Sequence, residues 1–151
     1  MAWGYYIGIL IYTAVIRLAA PFNEKAALWI KGRKRIREKI KQIPRDKERL
    51  VWFHAASLGE FEQGRPVMEA LKKAEPHTRI LLTFFSPSGY EIRKNYTGAD
   101  YILYLPADTP SNARFFINHF KPDAALFIKY EFWYNYLAEL YKQNIPIYLF
   151  S

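Results

Sequence analysis

From residue 50 onward, short apolar runs alternate with amphipathic stretches. Leu50–His54, Arg79–Phe85, Tyr101–Leu105, Asp123–Ile128 and Ile147–Phe150 are nearly continuous in hydrophobic residues, the pattern of strands buried on both faces. Between them, Glu60–Ala74 has helical spacing at Phe61, Val67, Met68 and Leu71. Pro87–Asn95 reads as a short helix, Thr109–Phe120 as a helix with Pro110 in its first turn, and Phe132–Gln143 as a fourth. Five strands alternating with four helices predict an α/β fold, a Rossmann-like parallel sheet with helices on both faces. Its ligand end lies beyond the strands' carboxyl ends, at Ala55–Glu60, Phe85–Gly89, Pro106–Pro110 and Lys129–Trp133. No repeat, low-complexity tract or linker interrupts 50–151.

The first 49 residues follow another pattern. Residues 1–16 carry no charged side chain, Arg17 interrupts, and apolar sequence resumes to Phe22. A bilayer-spanning helix needs about 20 apolar residues, so residues 1–23 are expected to form a marginal span or half-buried membrane anchor with Arg17 reaching the headgroups. Trp3, Tyr5, Tyr6 and Tyr12 suit a membrane interface. A secretory signal fits poorly, because no basic residue precedes the apolar run. The plain alternative is a hydrophobic helix packed on the domain. In residues 24–49, Trp29, Ile36, Ile40 and Ile43 form one helical stripe bordered by Lys31, Lys34, Arg35, Arg37, Lys39 and Lys41, up to a stop at Pro44. This segment is expected to lie on an anionic membrane surface. The rival is a solvated helix docked on the domain through its isoleucines.

Charge and composition sharpen this division. Residues 1–49 hold 12 Lys/Arg against 4 Asp/Glu, whereas residues 50–151 hold 10 of each, so the whole net charge of +8 sits on the leader. A nucleic-acid-binding fold would carry such charge on the domain itself, so no nucleic-acid partner is expected. With 51% hydrophobic residues among 151, the chain can build one real core. It contains no cysteine, which excludes disulfide scaffolds, thiolate zinc sites and cysteine nucleophiles.

The candidate chemistry lies at the strand ends. Neither Gly-x-Gly-x-x-Gly nor a P-loop occurs. After the first strand comes His54-Ala55-Ala56-Ser57-Leu58-Gly59-Glu60. Ser57 and Glu60 have capping-box spacing, which alone explains Glu60 structurally. Functionally, Glu60 is a carboxylate at the ligand end of the sheet, where the helix dipole favours an anion and where it could act as a general base toward a hydroxyl. Gly59 would let a ligand approach the backbone. Glu131, in Lys129-Tyr130-Glu131-Phe132-Trp133, is expected to open a helix in the same way, amid aromatics that could form a sugar or lipid platform. Ser86, Ser88 and Gly89 form a turn whose amides could meet an anion, or an ordinary Ser-Pro cap. His54 could be a hydrogen-bonding strand-end residue, and His77 and His119 read as surface residues. No metal site is expected.

Four ordered motifs carry a resemblance. Trp52–Glu60 is close to a His-x-x-Ser-x-Gly-Glu signature, and Thr83-Phe84-Phe85-Ser86-Pro87-Ser88-Gly89 matches a Thr-x-x-Ser/Thr-Pro-Ser/Thr-Gly element. Tyr104–Pro110 matches a third motif, and Glu131-Phe132-Trp133-x-Asn135 a fourth. Together with the leader, they resemble the N-terminal half of the 3-deoxy-D-manno-octulosonic acid (Kdo) transferase family. The resemblance implies a GT-B architecture, with this chain as the acceptor-binding half (50–151) and a C-terminal donor domain, absent from this sequence, that holds CMP-Kdo. It implies transfer of Kdo to a lipid A precursor at the cytoplasmic face of the inner membrane, in lipopolysaccharide biosynthesis, without metal or cofactor. Glu60 would be the catalytic base. Glu131, Ser57, Gly59, Ser86, Ser88 and Gly89 would bind or support the acceptor. The family's Glu-x-Glu-Leu-Trp-Pro-Asn here has Lys129 for its first Glu and Tyr134 for its Pro. Because an apolar strand ends the sequence, the chain is expected to be part of a longer enzyme and inactive alone. Two alternatives remain open: another membrane-anchored GT-B glycosyltransferase acting on a lipid-linked sugar, and a non-enzymatic membrane-docked α/β binding module.

Overall fold

The computed structural model describes residues 2–45, 48–129 and 131–150, with Ala2 and Trp3 described for their backbone alone. The helices α1 (Ala2–Ala19), α2 (Glu24–Arg33) and α3 (Ile36–Gln42) precede a doubly wound unit. That unit runs β1 (Leu50–Ala55), α4 (Leu58–Ala74), β2 (Arg79–Phe84), α5 (Pro87–Arg93), β3 (Tyr101–Tyr104), α6 (Pro110–Phe120), β4 (Ala124–Ile128), α7 (Tyr134–Lys142) and β5 (Ile147–Phe150). All pairings are parallel, in the order β3-β2-β1-β4-β5.

Alternation along the strands sends side chains into two cores. Leu50, Trp52, Leu81, Leu103, Ala125 and Phe127 meet Phe116, Phe120, Tyr136 and Leu140 of α6 and α7 on one face. Val51, Phe53, Ile80, Leu82, Phe84 and Ile128 meet Phe61 and Met68 of α4 on the other, with Tyr90 of α5 packed alongside. At Gly64, α4 approaches the sheet so closely that a Cβ would stand 2.2 Å from Ile128 Cδ1. Local signals set the helix starts. The Thr109 hydroxyl accepts from the Asn112 amide ahead of Pro110, and Ser86 Oγ accepts from the Ser88 amide ahead of Pro87.

The chain leaves β1 toward β2 through α4 and leaves β4 toward β5 through α7, on opposite faces. Since β1 and β4 are neighbours, a crevice opens between their carboxyl ends, where doubly wound sheets place ligands.

The basic segment differs from its expected form. It is two helices, broken where Arg35 takes a left-handed φ of 55°. The break lets each half dock differently. Trp29 and Ile40 are buried, and Ile36 and Ile43 pack against the α6/α7 core. The apolar stripe expected to face lipid is thus turned into the domain, and the polar, mostly cationic flanks remain outside. Helix α1 also docks. Tyr12 stacks on Phe85 (centroids 5.9 Å apart), Tyr5 packs on Tyr134, and the Tyr5 hydroxyl donates to Asp108. Two of the aromatics expected at a membrane interface therefore serve the domain, while the Trp3 side chain lies outside the described residues. Ile7, Leu10, Ile11, Val15 and Leu18 stay exposed. Among the described residues no single helix is long and apolar enough to cross a membrane. The α1–α2 pair passes by length and composition, bent by 119°.

Candidate functional site

The crevice between β1 and β4 is built from the β1–α4 loop and the β4–α7 loop. In the first, Ser57 caps α4 and forms a capping box with Glu60. The Glu60 carboxylate accepts, through Oε2, from the backbone amides of Ala56 and Ser57, the latter at 3.3 Å. Oε1 has no protein hydrogen bond among the described residues. The structural and functional readings of Glu60 therefore coexist: the cap fixes the carboxylate and leaves one oxygen available. Gly59 is exposed, and a Cβ there would meet nothing within 4 Å, so the backbone beside Glu60 is open to a ligand.

Glu131 comes from the second loop. It does not open a helix as expected. Helix α7 starts at Tyr134 with Trp133 as its cap, and Lys129 turns the chain with a φ of 62°. The apolar α7 face begins at the buried Tyr136, which leaves Glu131 in irregular backbone over the crevice. Its side chain is 19% exposed. Burial, and then the negative charge of nearby Glu60, push its carboxyl up to about 7. The two carboxylates thus come from the two loops that flank the switch point. Tyr130 of the same motif lies outside the described residues.

His54 ends a hydrogen-bonded string at the floor of the crevice. Its Nδ1 is 2.8 Å from Thr83 Oγ1, and its Nε2 accepts from the Trp133 indole at 2.9 Å. Burial and the charge of Arg33 hold the imidazole down to about 3. Glu131 Oε2 lies 3.9 Å from Nε2, which is no ion pair beside a neutral ring. The hydrogen-bonding role expected for His54 is present. By contrast, His119 is no free surface residue, because its Nε2 lies 3.0 Å from the Ile43 carbonyl and fastens α3 to α6.

The β2–α5 turn takes its ordinary structural form. Ser86 and Ser88 hydroxyls lie 2.9 Å apart, and Gly89 is buried against Phe84, where a Cβ would clash at 2.3 Å. The exposed Ser88 side chain is what this turn offers outward. Beside it, Tyr12, Ile16, Trp29, Phe85, Ser86 and Lys25 line a largely apolar cavity of about 240 Å³. A larger one, about 630 Å³, lies between α3 and α6 against Arg37, Ser111, Arg114 and Phe115, and none of the predicted site residues line it. Among the described residues no three His, Asp or Glu side chains converge to hold a metal ion.

Two residues escaped the sequence reading. Arg33 donates to the carbonyls of Leu105 (2.9 Å) and Phe85 (2.8 Å) and stacks on Trp29 (3.9 Å), clamping α2 to the strand ends. Nothing distinguishes it from the other cations in its run. Asp108, 1% exposed, accepts from Tyr5 and from the Asn135 amide (3.2 Å). Its position between two motif prolines was the available signal.

The family model for 3-deoxy-D-manno-octulosonic-acid transferase (kdotransferase) matches residues 34–151. The 3-deoxy-D-manno-octulosonic acid transferase of Haemophilus influenzae is 33% identical over 97 residues, covering 64% of this chain and 23% of that protein. That of Aquifex aeolicus is 38% identical over 84 residues (55% and 23%), and that of Bordetella pertussis 33% over 107 (67% and 24%). The solved glycosyl transferase family 9 structure from Veillonella parvula aligns over 56% of this chain and 27% of its own, with a TM-score of 0.44 and 17% identity. The chain spans a little under a quarter of the length of these curated relatives. From its motifs, its doubly wound sheet and the family match over residues 34–151, the chain belongs to the 3-deoxy-D-manno-octulosonic-acid transferase family.

Proposed function

We propose that this chain is the acceptor-side domain of a GT-B glycosyltransferase that moves Kdo from CMP-Kdo to a lipid A precursor, at the cytoplasmic face of the inner membrane. The carrying observation is that Glu60 and Glu131 stand on the two loops, β1–α4 and β4–α7, that flank the crevice at the switch point. Glu60 is the general base. It takes the proton of an acceptor-sugar hydroxyl as that oxygen attacks the anomeric carbon of Kdo and CMP leaves. Glu131 positions the acceptor, with the exposed Phe132 and Tyr134 as an aromatic rim. The cavity beside α1 and α2, apolar with Lys25 at its wall, suits an acyl chain on a phosphorylated headgroup. The exposed apolar face of α1 and the cations of α2 and α3 support a location on an anionic membrane. CMP-Kdo would be held by a further domain.

The test is binding to the 151-residue chain in detergent of two ligands offered separately: a phosphorylated, acylated lipid A precursor, and CMP. Lipid binding without CMP binding supports the assignment. Binding of CMP, or of neither, overturns it.

A further inference from the structure

His54 is fully buried, yet its two ring nitrogens face in different directions: one toward the core and one toward the crevice. The neighbours fix which nitrogen carries the proton. An indole N–H only donates, so Nε2, which receives the Trp133 bond at 2.9 Å, is bare. In the neutral ring Nδ1 then holds the hydrogen and donates to Thr83 Oγ1 at 2.8 Å. Trp52 donates to that same oxygen at 2.8 Å, which fills both of its lone pairs. The hydroxyl hydrogen is left for the Phe53 carbonyl, 3.5 Å away. Every donor in the string has an acceptor, from the middle of β1 to the edge of the crevice.

Trp133 is the far end of that string. It caps α7 and also packs on Phe85 with centroids 4.5 Å apart, so it is held on two sides. It is two residues from Glu131, in a loop without regular structure. We infer that His54 is a positioning residue: its bare Nε2 anchors Trp133, and Trp133 fixes the short loop that holds Glu131 beside Glu60. Arg33 and Glu131 are the charged groups facing the ring. A proton on Nε2 would face the indole hydrogen and break the anchor. This inference rests on the reading of Glu60 and Glu131 as the working carboxylates. A misplacement of about 1 Å in such a site costs up to roughly a hundredfold in rate.

Three substitutions separate anchoring from packing. Trp133→Phe keeps the ring against Phe85 and removes the donor. His54→Asn keeps a donor near the Nδ1 position and loses the acceptor, whereas His54→Gln places its amide oxygen near Nε2. In the full-length enzyme, Trp133→Phe and His54→Asn should each lower kcat at least about tenfold and shift its pH profile, with acceptor KM little changed, and His54→Gln should recover part of the loss. In the 151-residue chain, ¹⁵N NMR of the imidazole should show Nδ1 protonated and Nε2 bare, and Trp133→Phe should move the titration of the Glu131 carboxyl. A folded Trp133→Phe with wild-type kcat and pH profile would overturn the inference, as would a protonated Nε2. If the wild-type enzyme transfers nothing, the proposed function fails, and the NMR arm still decides whether His54 positions Glu131 through Trp133.

Discussion

The hydroxyl of Tyr5 donates to the carboxylate of Asp108 across 103 positions of sequence, tying the first helix to the loop that starts α6. Asp108 Oδ1 is buried without a hydrogen-bond partner among the described residues, and Oδ2 carries the bonds from Tyr5 and Asn135. Burial foremost raises the Asp108 carboxyl above its ordinary range. Removing the Tyr5 hydroxyl leaves this group still poorer in partners, a loss of about 1–2 kcal/mol. Tyr5→Phe should therefore unfold at a lower temperature and release α1 to protease sooner. Unchanged thermal and proteolytic profiles would show that the bond does not hold α1 in solution.

Glu131 predicts a pH dependence of stability. Its folded pKa of about 7 lies above the ordinary 4.5, so the fold favours the protonated form. That stabilisation is complete below about 4.5 and is lost as pH rises through about 7. Glu131→Gln should match wild type near pH 4 and exceed it by on the order of 3 kcal/mol at pH 8. His54, held low, destabilises as pH falls from 6.5 toward 3, but it does so in both proteins and cancels from the comparison. Melting curves at the two pH values decide, and a pH-independent difference would refute the assignment.

Glu60 has two roles that substitution can part. Glu60→Gln keeps an oxygen for the Ala56 and Ser57 amides, so the domain should melt near wild type. Glu60→Ala loses the cap as well, at a cost of about 1 kcal/mol. Both should reduce transfer by the full-length enzyme at least about a hundredfold if the carboxylate is the base. Activity retained in Glu60→Gln would make the residue a cap alone.

The leader divides into a docked part and an exposed part. Ile40 is wholly buried, so Ile40→Ala should cost about 2–4 kcal/mol without changing binding to anionic vesicles. Replacing Leu10, Val15 and Leu18 by serine should leave the melting temperature nearly unchanged and weaken vesicle binding. The opposite pattern would mean that α3, not α1, carries the lipid contact.

Local pattern revealed most of the sheet. Every predicted strand formed within about a residue of its expected ends; β1, β2 and β4, buried on both faces, must be apolar throughout, whereas the edge strand β5 is apolar in sequence but leaves Tyr148 and Leu149 exposed. The Glu60 cap was equally legible, since its partners lie three and four residues away. Glu131 was misread as a first-turn residue because a helix start and a preceding loop share the same polar and aromatic letters. The isoleucine stripe of 24–49 was ambiguous for a related reason. Amphipathic periodicity shows that one face seeks an apolar surface, and lipid and protein core satisfy it alike.

What the sequence determined by itself was the alternation of elements, the caps that start α4, α5 and α6, and the motifs that identify the family. These depend on near neighbours and on the burial demanded of each strand. Tertiary structure alone decided that α3 turns its apolar stripe inward, that Tyr5 finds Asp108, and that Trp52, Thr83, His54 and Trp133 form one string. Each of these joins residues far apart in the chain. Their pairing follows from parallel strand register and helix docking, which no local run of residues encodes.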